Sequence, residues 1–152
     1  MELMTIIVKG KIQAKQRARV SRKFAYTPAE TVNYERYIQW LYTQMTKHFF
    51  DSAVKLDVYC FLTPPQSASA KKRKAMLNHE IKPTKKPDWD NVGKIVSDSL
   101  NKLAYHDDSQ VTCGKSMKRY AEKECLIITL QADNEVIPEN IHQELNKLID
   151  SE

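Results

Sequence analysis

Residues 86–111 read KPDWDNVGKIVSDSLNKLAYHDDSQV, a string that sets two pairs of acidic residues at the two ends of one amphipathic segment. Asp88 and Asp90 stand at its start, and Asp107 and Asp108 follow its end. At about 100° per residue, Val92, Ile95, Val96, Leu100 and Leu103 fall on one face, while Asp90, Lys94, Asp98 and Asn101 fall opposite. The apolar face predicts a helix buried against a core. About a dozen helical residues span roughly 18–20 Å, so the acidic pairs converge only if the chain folds back after the helix. A turn immediately before Asp107-Asp108 and a strand-like run from Val111 after them favour that fold-back.

Clustered carboxylates repel one another unless a cation is present, and one or two carboxylates with phosphate oxygens are the usual holders of Mg²⁺. Lys94, one helical turn after Asp90, adds a cation that could steady a phosphate or a leaving oxygen. Each residue also has a plainer reading: Asp88 or Asp90 as a helix cap, Lys94 and Asp98 as solvated helix charges, Asp107-Asp108 as a turn. The combination favours chemistry.

In its spacing the string resembles the RusA family of crossover-junction (Holliday junction) endodeoxyribonucleases of bacteria and their prophages. The matching features are Lys86-Pro87-Asp88-Trp89-Asp90-Asn91, Lys94, Asp98-Ser99-Leu100-Asn101 and Asp107-Asp108-Ser109-Gln110-Val111. The likeness is strong from Pro83 to Val111 and looser elsewhere, where Lys15-Gln16-Arg17 and Tyr26-Thr27-Pro28 look like the family's basic N-terminal segment. It implies that Asp88, Asp90 and Asp108 are the catalytic, metal-binding carboxylates, with Asp107 beside them as a further metal ligand or as a support for Asp108, and that Lys94 is the essential lysine. It further implies Mg²⁺ as cofactor with Mn²⁺ as a substitute, a homodimer, and four-way DNA as substrate. Some members carry a basic residue just before the first box aspartate; here Pro87 stands there, which leaves Lys85 or Lys86 for that phosphate contact.

Charge points the same way. The 152 residues carry a net charge of +5 and a pI near 9.0, which suits a polyanionic partner. Residues 9–23 hold seven Lys or Arg and no acid; residues 71–86 hold seven against Glu80 alone; residues 132–152 hold six acids and one Lys. Lys15, Arg17, Arg19, Arg22, Lys23, Lys71, Lys72, Arg73, Lys85 and Lys86 are therefore the expected DNA contacts. Cys60, Cys113 and Cys125 have no metal-type spacing and suit free thiols in a reducing compartment. No apolar run approaches the roughly 20 residues of a membrane span, and no signal-peptide pattern opens the chain. A cytoplasmic protein is expected.

Elsewhere the local patterns are clear. Met4–Val8 predicts a first strand, and the basic stretch 10–24 an extended arm or loop without regular structure. Thr27-Pro28-Ala29-Glu30 predicts a helix start with a capping box and Pro at the first helical position. Tyr34, Tyr37, Ile38, Leu41, Tyr42, Met45 and Phe49 continue it to about Phe50, as core or as a dimer face. Ala53–Thr63 predicts a second strand, 68–78 a short basic helix, and Val111–Tyr120 with Cys125–Gln131 an antiparallel hairpin. Ile141, Leu145, Leu148 and Ile149 make 138–151 a terminal amphipathic helix, for the sheet or for a partner subunit. The sum is one α+β domain over 1–152, two layers with helices on a mixed sheet, in the order β-α-β-α-β-β-α.

Together the residues and the resemblance predict a Mg²⁺-dependent nuclease that resolves four-way junctions in recombination and repair. Two other readings compete: a DNA-binding protein whose acidic cluster is structural, and a metal-dependent phosphohydrolase acting on other nucleic acids or nucleotides. With three glycines in the chain and no Gly-rich phosphate loop, the nucleotide reading has little support.

Overall fold

Alternation of apolar residues builds a sheet with one buried face. The computed structural model describes residues 3–16, 19–20, 25–26 and 28–151. Strand β1 (Met4–Lys9) buries Ile6 and Val8. A short antiparallel pair follows, β2 (Arg19–Val20) and β3 (Ala25–Tyr26). Strand β4 (Val54–Leu62) buries Val54, Leu56, Val58 and Cys60; β5 (Val111–Tyr120) has few buried positions; β6 (Cys125–Ala132) buries Leu126, Ile128 and Leu130. The four long strands form one sheet in the order β1-β6-β4-β5, parallel between β4 and β5 and antiparallel at the other two joins.

Two helices cover the apolar face. Helix α1 (Ala29–Met45) contributes Tyr34, Ile38 and Tyr42, and α3 (Trp89–Leu100) contributes Val92, Ile95, Val96 and Leu100, to one core with the strands. The face of α3 read from the sequence is therefore the buried one. Helix α2 (Ala70–Leu77) is capped by Ser69, whose Oγ accepts the Lys72 amide at 3.2 Å; it buries Met76 and exposes its basic residues. Helix α4 (Glu139–Asp150) buries nothing. The result is the expected two-layer α+β fold with a mixed sheet, and among the described residues no helix is long and apolar enough to cross a membrane.

Four details differ from expectation. The strands β5 and β6 do not pair; β4 lies between them. The connection 121–124 passes over the end of β4, with the Ala121 amide donating to Leu62 O at 2.9 Å. Four extended residues reach about 13 Å, enough to step across two strand spacings of about 4.8 Å. The basic stretch 10–24 contains strand β2 and leads to β3, and so is not wholly irregular. Helix α1 stops at Met45, short of Phe50, because Thr46 turns extended and its Oγ accepts the His48 amide at 3.0 Å. Pro28 is the N-cap of α1 instead of its first helical residue, and Thr27 of the expected capping box lies outside the described residues.

Candidate active site

The fold-back after α3 is built by a buried tyrosine. Helix α3 ends at Leu100, and Lys102 takes a left-handed conformation (φ 68°) that turns the chain. Tyr105, fully buried, bridges to Phe50 and Asn101, and its hydroxyl donates to Ser97 O at 2.7 Å. Burial first, then the nearby Asp108, Asp98 and Asp107, push this phenol well above its ordinary pKa. It remains a donor that ties the turn to the helix. A single 3₁₀ turn over Asp108–Gln110 then leads into β5.

This brings Asp90 and Asp108 to one groove of about 590 Å³ between α3 and β5, shared with Trp89, Ser97, Thr112 and Ser116. Helix and strand approach closely here because Gly93 faces Ser116: an added Cβ would lie 2.7 Å from its Oγ. A second hollow of about 670 Å³ adjoins through Asp90 and is lined by Asp88, Asn91, Lys94, Lys86, Lys15 and Gln16. Asp88 is the N-cap residue of α3, yet its carboxylate makes no cap and pairs with Lys86 at 2.9 Å. Lys94 is exposed and reaches Asp98 at 3.7 Å. Asp107 is engaged locally, its Oδ2 accepting the Ser109 amide at 3.1 Å.

Among the described residues, no three acidic, His or Cys groups converge into a ready-made metal cage. Asp90 and Asp108 on one groove, with Asp88 on the adjoining hollow, instead present carboxylate oxygens, the donor type that suits a hard cation that keeps water and completes its shell with phosphate. The residues fit that kind of ion. They do not fit a Cys- or His-rich metal site.

The basic residues divide by what they touch. Lys71, Lys72, Arg73 and Lys85 are exposed, and Lys86 is exposed apart from its pairing with Asp88. Lys15 is engaged internally, donating to Glu35 at 2.7 Å and pairing with Asp98 at 3.1 Å, so it joins the N-terminal arm to α1 and α3. Arg19 lies in β2, its side chain undescribed; Arg17, Arg22 and Lys23 fall outside the described residues. Two further residues shape the site. Lys118 donates to Lys85 O and Pro87 O at 2.6 and 2.8 Å, pinning the loop before α3 to β5, and Trp89 is 62% exposed on the groove. An aromatic next to Asp90 in the string was the available signal for Trp89; nothing local marks the partners of Lys118. His106 sits on Asp51 (3.1 Å) and Phe49, and His79 takes a left-handed conformation after α2.

The family model described as "Endodeoxyribonuclease RusA" matches residues 9–131, most of the chain and the whole of this site. The chain belongs to the RusA endodeoxyribonuclease family. RusA membership makes it a hydrolase acting on DNA. A relative, the uncharacterized protein YqaN of Bacillus subtilis (strain 168), is 35% identical over 99 residues, 63% of this chain and 70% of that protein. Helix α4 lies beyond the stretch matched by the RusA model.

Proposed function

We propose that this RusA-family protein is a metal-dependent endonuclease that resolves four-way DNA junctions by paired phosphodiester hydrolysis, acting as a cytoplasmic homodimer in recombination and repair. The observation that carries the reading is the groove that Asp90 and Asp108, eighteen positions apart in the chain, both line, with Lys94 and Asp88 on the hollow that adjoins it through Asp90. Asp90, Asp108 and Asp88 would hold Mg²⁺, or Mn²⁺ in its place, which when bound neutralises phosphate charge and lowers the pKa of water. Lys94 stabilises charge that grows on the phosphate oxygens as the bond breaks. Lys71, Lys72, Arg73, Lys85 and Lys86 hold the backbone of the DNA arms, which gives affinity without sequence reading. Junction preference follows from shape, because a two-fold dimer sets two active sites at a fixed separation on opposed strands.

The test is a gel assay of purified protein on a mobile four-way junction and on linear duplex of the same sequence, each with Mg²⁺ and with EDTA. Metal-dependent paired nicks in the junction alone are expected. Asp90→Asn should remove cleavage and retain junction binding. Equal junction shifts in both buffers without cutting would hand the case to the DNA-binding reading, and cutting of nucleotides or RNA to the phosphohydrolase reading.

A further inference from the structure

Among the described residues, nothing covers the apolar stripe of helix α4. Ile141, Leu145, Leu148 and Ile149 share one helical face and are 43–63% exposed. Twelve residues sit at the lower margin of what persists as an isolated helix in water, roughly 12–15 residues, so this stripe needs a surface to cover.

The same chain offers one. On the sheet face turned away from α1 and α3, Ile7 pairs with Ile127, Ile127 with Tyr59, and Tyr59 with Met117. That is a continuous apolar row across all four strands, and none of the four belongs to the buried core. Three spacings of about 4.8 Å make the row about 14 Å wide, against about 18 Å for a twelve-residue helix. Charge also matches. The row is flanked by Lys9, Lys115 and Arg119, with Asp57 the one acid beside it among the described residues and Lys115 lying 5.6 Å over the Tyr59 ring. Helix α4 carries Glu139, Glu144 and Asp150 against Lys147.

The linker argues for a second copy over the helix's own sheet. Asp133 donates its amide to Ala53 O at 3.0 Å and accepts from Thr112 Oγ1 at 2.6 Å, and Glu135 pairs with Lys55. The chain is thus tied down just before α4, which leaves without burying a residue. Two α4 helices packed on each other would bring like charges together, which disfavours that pairing.

We propose that α4 of each chain lies across the Ile7–Ile127–Tyr59–Met117 row of a second copy, so that two chains exchange C-terminal helices about a two-fold axis. The proposal rests on the homodimer reading above and names the surface that would make it. The experiment is sedimentation equilibrium of the full chain, its Leu145→Glu/Leu148→Glu variant and its Ile7→Glu variant, all at exposed positions. Carbodiimide cross-linking of a 1:1 mixture of ¹⁴N- and ¹⁵N-labelled wild-type chains accompanies it. The expected results are a wild-type dimer, at least a tenfold weaker dimer in each variant, and mixed-isotope links from Glu139 or Glu144 to Lys9 or Lys115. A dimer unchanged in both variants, or links only within one isotope, overturns the exchange while the homodimer stands. A wild-type chain that is monomeric at every concentration overturns both.

Discussion

Asp107 and Asp108 are neighbours whose carboxylates go separate ways: one accepts the Ser109 amide, the other lines the groove with Asp90. Gln110 completes a reciprocal box, its Oε1 accepting the amides of Asp107 and His106 and its Nε2 donating to Phe50 O and Ser52 O. Asp108→Asn should therefore bring cleavage below detection in the junction assay. Asp107→Asn, which keeps an acceptor, should retain it, and Asp107→Ala should lose on the order of 10–100-fold by loosening the turn. The hydrogen bonds to the Ser109 side chain and amide hold the Asp107 carboxyl below its ordinary 3.8. A depressed folded pKa means that this contribution is complete above 3.8 and fades as pH falls through the lower folded value; urea midpoints of wild type and Asp107→Asn should converge in that acid range. Lys15 has the opposite sign. Burial lowers its pKa, but the bonds to Glu35 and Asp98 more than offset this and leave it above 10.5. Its contribution is full below 10.5 and lost as pH rises through the folded value, so Lys15→Met should be less stable than wild type at pH 8 and approach it above 10.5.

Two glycines separate what α3 and β5 each need. At Gly114 an added Cβ would meet Leu56 O at 2.0 Å, and strand backbone cannot step aside. Gly114→Ala should cost at least 1–3 kcal/mol, roughly the range for overpacking, read as a fall in thermal midpoint. At Gly93 the obstacle is the Ser116 hydroxyl, which can rotate, so Gly93→Ala should change stability by no more than about 1 kcal/mol, helix propensity opposing the crowding. Elements were legible where the signal is periodic: the buried face of α3 and the alternation in β4 follow from residue spacing alone. The order of strands was not, because a four-residue connection serves a hairpin and a step over β4 equally well. The same holds within the site. The box and its acidic pairs were legible as a string, whereas Lys15 and Lys118 are cations near that box whose partners, Glu35, Asp98 and two loop carbonyls, are fixed only by tertiary contacts.

Across the whole molecule, Lys71, Lys72 and Arg73 stand exposed on α2, and Lys86, in the loop before α3, lines the hollow that holds Asp88 and Asp90. Replacing Lys71, Lys72 and Arg73 together by Ala should reduce the salt dependence of junction binding by about 2–3 in the slope of log affinity against log salt, at about 0.9 per phosphate contact. Lys15→Met should leave that slope unchanged, since its ammonium is taken up by Glu35 and Asp98. Both are read from filter binding at a series of salt concentrations. The strand order also governs how the chain comes together in time. Among the described residues, strand β1 pairs with β6 alone in the sheet, so residues 4–9 find their partner at residues 125–132. As the protein is synthesised, β1 stays unpaired until residues 125–132 have emerged, and the closing step joins segments far apart in sequence. Such non-local closure is slow, and an idle strand edge is the feature most open to pairing with the wrong chain; refolding yield should therefore fall as protein concentration rises.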